Sequence, residues 1–204
     1  MLFPRRVRPH VNPLSQLQTH TFTGFPEPWP IIVDIGCMKG EFLDGLRAQL
    51  PGHAFIAFEV REPIVQWLQD HWADDPRVAV FGGDACRNFR AILEPCLAKG
   101  ATLEEVYINF PDPWLKPRHH KRRVLSRAFL QSLMPWVPAS TTFLLQTDQP
   151  RYYEDTLALL EELGGWEWER FSQSPHGVMT KWEQAKQGQP IYRLRFRYAS
   201  AAAA

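Results

Sequence analysis

A rigid acidic turn lies directly against the densest positive charge in the chain, within residues 109–124, which read NFPDPWLKPRHHKRRV. Two prolines bracket Asp112, Trp114 follows, and five Lys or Arg residues and two His residues then fall between Lys116 and Arg123. Clustered Lys and Arg side chains neutralise polynucleotide phosphates, and a carboxylate held between two prolines is a positioned hydrogen-bond acceptor. The segment therefore indicates a site that binds a polyanion next to a fixed carboxylate. The alternative is a run of charged residues that are simply solvated at the surface.

Acidic residues also recur where predicted strands end. Asp34 lies in an apolar run, and four further carboxylates follow later runs, namely Glu59, Asp84, Asp112 and Asp148. Ligands of open α/β sheets bind at the carboxyl ends of the strands, so we expect these acids along one rim of a sheet. A single acid at a strand end is more often a turn former or a helix cap. Asp34 differs, because an acid inside an apolar strand is costly unless something pairs with it.

The turn after the first apolar run is rich in glycine but lacks the dinucleotide-binding pattern. Gly36 and Gly40 are spaced as G-x-x-x-G, and Met38 stands where G-x-G-x-x-G has the glycine that lets a pyrophosphate approach. Glu59 suits the two hydroxyls of a ribose, and Asp84 suits an adenine amino group. A sulfonium cofactor is cationic and has no phosphate, so a row of acids favours S-adenosylmethionine over an anionic dinucleotide.

Strands and helices alternate along the middle of the chain, as the periodicity of its apolar residues predicts. Short apolar runs predict strands over residues 31–37, 54–60, 78–85, 103–110 and 141–148. Helical spacing predicts helices over residues 39–50, 62–73, 87–100, 124–136 and 152–165, the third of them interrupted or ended near Pro95. Five such alternations are typical of a doubly wound sheet with helices on both faces.

Two further strands are predicted over residues 166–171 and 191–199, with no evident helix between them. Their connection suggests an antiparallel hairpin added at one edge of the sheet. The last strand alternates apolar residues with Arg193, Arg195 and Arg197, as an edge strand or a strand with one exposed face would. The predicted fold is therefore α/β and Rossmann-like, a doubly wound, mostly parallel seven-stranded sheet with an antiparallel edge hairpin.

Length and composition narrow the class of protein. The chain has 204 residues, 45% of them hydrophobic, which suits one domain with a real core. Its net charge is only +1, so attraction to nucleic acid has to come from local clusters of charge. Three cysteines without C-x-x-C spacing argue against a disulfide framework and against a metal site, and they fit a reducing cytosol. No signal peptide or membrane-spanning run is evident, and we expect a cytoplasmic protein.

Three regions are expected along the chain. Residues 1–30 contain six prolines and little periodicity and are interpreted as an arm, residues 31–199 as the sheet domain, and residues 200–204 as a tail. Arg5, Arg6 and Arg8 in the arm, like the arginines of the last strand, are candidates either for polynucleotide contacts or for solubilising charge.

A series of motifs resembles, in order and spacing, those of the bacterial tRNA (guanine-N7)-methyltransferase family, which are class I enzymes dependent on S-adenosylmethionine. The motifs are VDIGCMKGEFL, AFEV, the acid at Asp84, NFPDPWLKPRHHKRR, QTD and TKWE, and the resemblance covers roughly residues 7–198. The proline-bracketed acid with its basic run is the specific part, because G-x-x-x-G alone is a weak signal. The chain departs from the family at Met38, where glycine is more common.

The resemblance implies a role for each matching position. Cofactor binding is implied for Asp34, Gly36, Glu59, Asp84 and Asp112, and catalysis for Asp112 as well. Substrate binding is implied for Lys116, Asp148, Thr180, Lys181, Trp182 and Glu183. RNA contact is implied for Arg118, His119, His120, Lys121, Arg122 and Arg123.

The reaction that the resemblance implies is transfer of a methyl group to N7 of the variable-loop guanine at position 46 of tRNA. N7 carries a lone pair and no proton, so the reaction needs alignment rather than a strong base, and a carboxylate such as Asp112 would stabilise the cationic product. The alternatives are a methyltransferase acting on another RNA, a small molecule or a protein, and a non-catalytic RNA-binding module on the same fold. An NAD oxidoreductase is disfavoured by the glycine pattern, and a monomer and a homodimer both stay open.

Overall fold

The computed structural model describes residues 3–4, 7–8, 10–186 and 188–199. The strands are β1 (Ile31–Ile35), β2 (Ala54–Glu59), β3 (Val78–Gly82), β4 (Leu103–Asn109), β5 (Thr142–Thr147), β6 (Trp166–Arg170) and β7 (Tyr192–Tyr198). The α-helices are α1 (Glu41–Gln49), α2 (Glu62–His71), α3 (Ala85–Ala98), α4 (Arg127–Leu133), α5 (Pro150–Leu163) and α6 (Lys181–Ala185). Arg5, Arg6 and the expected tail, residues 200–204, lie outside the described residues.

The seven strands are hydrogen-bonded in the order β3-β2-β1-β4-β5-β7-β6 and form one mixed sheet. This confirms the predicted class, a mostly parallel seven-stranded sheet that ends in an antiparallel pair. Two compact units divide the chain, residues 1–104 and residues 105–204, and each is described by itself.

The first unit is built on three parallel strands. Val33 of β1 lies opposite Ile56 of β2, which in turn lies opposite Ala79 of β3. Every residue of β1 and β2 is buried, so both faces of these strands are covered. Burial on both faces is why their sequences are continuous apolar runs rather than alternating ones.

The helices of the first unit bury one apolar face each. The buried faces are Phe42, Leu43 and Leu46 on α1, Ile64, Val65 and Leu68 on α2, and Phe89, Ile92, Leu93 and Cys96 on α3. The spacing of three and four residues places each set on one side of its helix.

Helix α3 passes through Pro95 and continues to Ala98, so the prediction that the helix stops or breaks near Pro95 is wrong. A proline inside a helix loses one backbone hydrogen bond and strains the preceding turn. Here the packing continues on both sides of the proline, because Leu93 and Cys96 are both buried. That burial holds the last turn of the helix in place.

The second unit contains the antiparallel part of the sheet. β4 runs parallel to β5, with Asn109 opposite Gln146, whereas β5 and β7 are antiparallel, and so are β6 and β7. The predicted antiparallel hairpin is confirmed, but a short helix, α6, lies between its two strands. The expectation of no helix there is corrected because α6 is only five residues long and leaves little periodic signal.

Strand β7 is an inner strand, because it lies between β5 and β6, and β6 is the edge strand. Of the two interpretations of its arginines, the exposed face therefore holds and the edge position does not. Arg195 and Arg197 are exposed and pair with Glu169 and Glu167 of β6. Alternation with charged residues reports an exposed face and does not report whether a strand has one neighbour or two.

Aromatic and aliphatic side chains fill the core of the second unit. Phe143 of β5 stacks on Phe196 of β7 with ring centroids 5.3 Å apart, and Trp166 packs edge-on against the Phe196 ring. Helices α4 and α5 each bury an apolar face, which includes Phe129, Leu130 and Leu133 on α4 and Tyr152 and Leu160 on α5. Within the described residues, no helix combines the length and the apolar character that crossing a bilayer requires.

Candidate functional site

The acid inside the first strand is buried as expected. Asp34 lies opposite Ala57 of β2, and only 2% of its surface is exposed. Burial, and next to it the nearby charge of Glu59, raises the pKa of Asp34 from 3.8 to about 7. Because both effects oppose the ionised form, the Asp34 carboxyl is partly protonated at neutral pH.

The carboxylate at the end of β2 is held by the residue two positions later. Glu59 Oε1 accepts hydrogen bonds from the Arg61 backbone N (2.9 Å) and Nε (2.7 Å). Its Oε2 accepts from Arg61 Nη2 (2.6 Å) and from the backbone N of Met38 (3.2 Å). Glu59 is 1% exposed, so this pair is a buried ion pair that ties the end of β2 to the glycine turn.

The two glycines of the turn differ in the space around them. Gly36 has a φ of +86°, and a Cβ there would meet nothing within 4 Å. Gly40 has a φ of +76°, and a Cβ there would lie 2.4 Å from the Trp72 ring. The Gly40 position therefore tolerates only glycine, whereas the space beside Gly36 can receive a ligand. Met38, with a φ of +54°, is half-exposed and lies next to Arg61.

Asp84 follows β3 by two residues and caps α3. Its side chain accepts a hydrogen bond from the backbone N of Cys86 (3.0 Å), as an N-cap residue does. The strand itself ends at Gly82, earlier than the predicted residue 85. Asp84 is half-buried, and in the structure it acts as a helix cap, which is the more common role of a single acid at a strand end.

Part of the expected N-terminal arm packs on the first unit. Asn88 of α3 accepts a hydrogen bond from the His20 backbone N (3.1 Å) and donates to the carbonyl oxygen of Gln18 (3.0 Å). The His20 ring donates through Nε2 to the carbonyl oxygen of Gly82 (2.8 Å), because a carbonyl oxygen only accepts. Asn88 therefore fixes residues 18–20 against α3, and the His20 ring attaches them to the end of β3.

In the second unit, the segment after β4 begins and ends in strained backbone. Phe110 has a φ of +48° and Trp114 a φ of +41°, values that residues other than glycine rarely adopt. Between them, Asp112 is half-buried in the Pro-Asp-Pro sequence. Such outliers persist only where the surroundings hold them, and they cluster at functional sites.

The basic run contains a short 3-10 helix, Pro117–Arg122, in which Arg118 and Lys121 face solvent. Lys116, Arg118 and Lys121 are exposed. Desolvation, and the neighbouring charges of Arg122, Arg118 and Lys116, lower the pKa of His119 below its ordinary value. His119 is therefore neutral at pH 7, and its ring can accept as well as donate a hydrogen bond.

The last two arginines of the run point inward. Arg122 stacks its guanidinium over the Trp114 ring at 4.9 Å, and Arg123 is 6% exposed. Arg123 Nε donates to the carbonyl oxygen of Pro113 (2.8 Å) and Nη1 to Asp155 Oδ2 (2.8 Å). These partners give Arg123 a role in holding the loop. The prediction that it touches RNA stays a prediction.

Asp148, just after β5, is paired with a lysine from the end of α6. Lys186 Nζ lies 3.1 Å from Asp148 Oδ2 and also 5.3 Å from the centre of the Trp182 ring. Burial acts to raise the pKa of Asp148, but hydrogen bonds from Lys186 and Gln149 outweigh it, and the pKa is below its ordinary value. Asp148 is thus an ionised acceptor at neutral pH. Lys181 and Trp182 are exposed on the same short helix.

The T-x-x-E sequence is the capping box of α6. Thr180 Oγ1 accepts from the Glu183 backbone N (3.0 Å), and Glu183 Oε2 accepts from the Thr180 backbone N (3.1 Å). Glu183 is 1% exposed, and its Oε1 accepts from Arg193 Nη2 (2.7 Å). Both residues are therefore engaged inside the protein, in contrast to the exposed Trp182 between them.

Among the residues at these sites, Arg61 and Gln146 were not predicted, and Arg193 was predicted only as a candidate for polynucleotide contact or solubilising charge. Gln146 carried a signal in the sequence, because it lies inside an apolar strand in the same way as Asp34. Arg61 carried none, and nothing in the sequence indicated that Arg193 pairs with Glu183, since an arginine near a strand end is ordinary surface charge until its partner is known.

The chain matches a protein family along most of its length. A family model described as "Putative methyltransferase" matches residues 28–194. The chain is similar to a tRNA (guanine-N(7)-)-methyltransferase of Synechococcus elongatus, with 32% identity over 94% of this chain and 95% of that protein. It is also similar to a protein of the same name from Exiguobacterium sibiricum, with 30% identity over 90% of this chain and 88% of that protein.

Solved structures of methyltransferases share the fold. The 16S rRNA methyltransferase KamB matches with a TM-score of 0.57 and 12% identity over 84% of this chain and 88% of that chain. A precorrin-6y C5,15-methyltransferase from Geobacter metallireducens matches with a TM-score of 0.56 and 11% identity over 83% of this chain and 80% of that chain. At this identity the likeness concerns the fold alone.

Proposed function

The chain belongs to the tRNA (guanine-N(7)-)-methyltransferase family, and we propose that it transfers a methyl group from S-adenosylmethionine to N7 of a guanine in tRNA. The observation that carries this proposal is the similarity over nearly the full length of both this chain and its relatives. The strained loop also supports the proposal, because it places Asp112 directly before exposed cations. The reaction needs a positioned hydrogen-bond acceptor next to a surface that binds the tRNA phosphates. As its finer part, we propose that the target is the variable-loop guanine at position 46.

The tRNA backbone is proposed to contact the exposed side of the basic run. Lys116, Arg118 and Lys121 face solvent and can release counterions from phosphates. His119, neutral at pH 7, can donate a hydrogen bond to a phosphate oxygen without adding charge, and the His120 ring is a further donor. Such contacts fix the register of the RNA and carry no information about the base.

The guanine itself is proposed to be selected by carboxylates. Its Watson–Crick edge presents N–H donors, and Asp112 and Asp148 are acceptors in the same unit of the chain. Asp148 is ionised and accepts from Lys186 and Gln149, and a carboxylate with two such bonds can still accept from a base. Trp182, 52% exposed on α6 and one helical turn before Lys186, offers a ring on which the base can stack.

The residues of the first unit fit S-adenosylmethionine under one condition. The open space beside Gly36 admits a ligand, and the acids Asp34, Glu59 and Asp84 suit a cationic cofactor that carries ribose hydroxyls and an adenine amino group. All four hydrogen bonds of Glu59 are now taken by Arg61 and Met38, so a ribose can donate to Glu59 only where Arg61 withdraws. We propose Asp34, Gly36, Glu59 and Asp84 as the cofactor-binding residues of this unit, and the cofactor contact that the resemblance implies for Asp112 stays a prediction.

Bound S-adenosylmethionine supplies the methyl group as an electrophilic methylsulfonium. The protein's part is alignment, because guanine N7 has a lone pair and no proton to remove. Asp112 would hold the guanine and stabilise the positive charge that develops on the ring, and no residue is assigned proton abstraction. The prolines on both sides of Asp112 restrict the backbone before a substrate binds. Less conformational entropy is therefore lost when the carboxylate is fixed on binding.

The test is incubation of the full chain with an unmodified tRNA transcript and S-adenosylmethionine, followed by nuclease digestion and mass spectrometry. We expect 7-methylguanosine in the fragment that contains position 46, and none in a matched transcript with adenine at that position. Methylation of any atom other than N7 of a guanine would contradict the proposal. Methylation of a guanine elsewhere in tRNA would refute only the position.

A further inference from the structure

A chain of buried hydrogen bonds in the second unit joins α6 to the start of the acidic loop. Arg193 Nη2 donates to Glu183 Oε1 (2.7 Å), and Arg193 Nε donates to Gln146 Oε1 (2.7 Å). Gln146 Nε2 then donates to Asn109 Oδ1 (2.9 Å). We call these four residues the Arg193 network. Gln146 is fully buried and Glu183 is 1% exposed, so solvent cannot replace the bonds between them.

The charge of Arg193 fixes the orientation of every amide in the network. A guanidinium has only donors, so Gln146 has to present its oxygen to Arg193 and its nitrogen to Asn109. Asn109 accordingly presents its oxygen to Gln146. Its Nδ2 is buried and has no hydrogen-bond partner within the described residues, so Gln146 supplies the hydrogen bond that orients this side chain.

Gln146 also holds the backbone at the same point. Its carbonyl oxygen accepts from the backbone N of Phe110 (2.7 Å), the residue with a φ of +48°. Asn109 and Phe110 are the last residues before the Pro111–Pro113 segment, so their positions determine where the backbone of Asp112 lies. One residue of β5 thus secures the entrance of the acidic loop through its side chain and its main chain.

We propose that Arg193, acting through Gln146, is a positioning residue for the methyl transfer. This inference rests on the proposed function, because Asp112 is the group that the network would hold in place. It also explains Glu183 differently from a direct substrate contact: its two carboxylate oxygens anchor the α6 capping box and Arg193, and so connect the start of α6 to the loop. A shift of about 1 Å in a group that aligns reacting atoms lowers a rate by about 100-fold.

The test compares Gln146→Met and Arg193→Met with Arg195→Met. Arg195 lies two residues along the same strand, on the same side, and also pairs with a glutamate, Glu169, but that pair is exposed. We expect the two network variants to lower kcat for tRNA methylation by about tenfold to 100-fold with KM for tRNA within about twofold of the parent chain. Arg195→Met should leave both constants unchanged.

Folding is measured alongside, because Arg193→Met leaves the Glu183 carboxylate buried without its arginine. Circular dichroism gives the folded fraction of each variant, and kcat is expressed per folded molecule well below the melting temperature. Gln146→Met introduces no buried charge and keeps the Arg193–Glu183 pair, so it tests the link to the loop even where Arg193→Met does not fold. A parental kcat per folded Gln146→Met molecule would overturn the inference.

The outcomes separate this inference from the proposed function. A parent chain that methylates no tRNA refutes the proposed function before any variant is compared. A parent chain that forms 7-methylguanosine, together with network variants that raise KM and leave kcat unchanged, supports the function and refutes the positioning role.

Discussion

The guanidinium of Arg123 donates a hydrogen bond of 2.8 Å to Asp155 on α5, and it also holds the Pro113 carbonyl oxygen at 2.8 Å. Arg123 therefore attaches the acidic loop to the helix behind it. Its neighbours Arg118 and Lys121 are exposed instead. A single basic run thus contains residues that face solvent and a residue that holds the run in place.

We expect Arg123→Met to destabilise the protein. Loss of the hydrogen bonds of a buried cation costs about 2 kcal/mol and leaves the Pro113 carbonyl oxygen without this donor. Chemical denaturation measures the free energy of unfolding, and Arg118→Met is the matched control, expected within about 0.5 kcal/mol of the parent chain because Arg118 is exposed. Equal stability of the two variants would contradict the holding role of Arg123.

Charge reversal of the exposed cations should act on tRNA binding alone. We expect Arg118→Glu with Lys121→Glu to weaken binding and to reduce the slope of log K against log salt by about two, because each lost phosphate contact reduces it by about one. The control is Arg87→Glu with Arg90→Glu, two exposed arginines of α3. Binding is measured by filter retention across a salt series, and equal loss in both double variants would argue against a specific role of the loop.

Asp112→Asn should lower kcat for tRNA methylation by about 100-fold or more, because an amide keeps the size of the carboxylate but not the charge that stabilises the product. The Kd for tRNA should change by less than about twofold, since the phosphate contacts supply most of the affinity. Single-turnover kinetics with saturating enzyme measures the rate of the chemical step. Glu154→Gln, an exposed carboxylate-to-amide change on α5, is the control. An unchanged rate for Asp112→Asn would remove this residue from the mechanism.

The buried carboxyl of Asp34 should make stability depend on pH. Its pKa is about 7 in the folded protein and ordinarily 3.8, so between these values the folded state binds the extra proton. Stability contributed by Asp34 is therefore present below pH 4 and falls as pH rises to about 7, by about 4 kcal/mol at most. We expect Asp34→Asn to be more stable than the parent chain at pH 8, with the advantage shrinking towards pH 4.

Urea denaturation at pH 4, 6 and 8 measures this dependence. The control is Asp74→Asn, an exposed acid, whose difference from the parent chain should stay constant across the three pH values. A constant difference for Asp34→Asn as well would show that Asp34 is ionised throughout.

The sequence predicted the parallel part of the sheet well, because strands covered on both faces have to be apolar throughout. Asp34 stood out for the same reason, and the structure confirms that it is buried. The continuation of α3 past Pro95 could not be predicted, since it depends on packing of Leu93 and Cys96 that the local sequence does not contain.

The acidic residues of the candidate site could be predicted from the sequence, but the residues that bind to them could not. Arg118 and Arg123 are the same residue type five positions apart, and charge patterning cannot separate an exposed cation from a buried one. In the same way, T-x-x-E carries a capping-box signature, but nothing in the sequence connects Glu183 to Arg193. The partners are distant in sequence: Arg123 binds Asp155 of α5, and the antiparallel pairing of β7 with β5 places Arg193 opposite Gln146.

Strand β6, at one edge of the sheet, presents Glu167 and Glu169 to solvent, and each of them pairs with an arginine of the inner neighbour β7. A strand with unpaired backbone groups on one side invites another chain to add to it, and closely spaced charges make such an addition costly because they would have to be desolvated. These cross-strand ion pairs should therefore hinder newly synthesised chains from aggregating through the β6 edge.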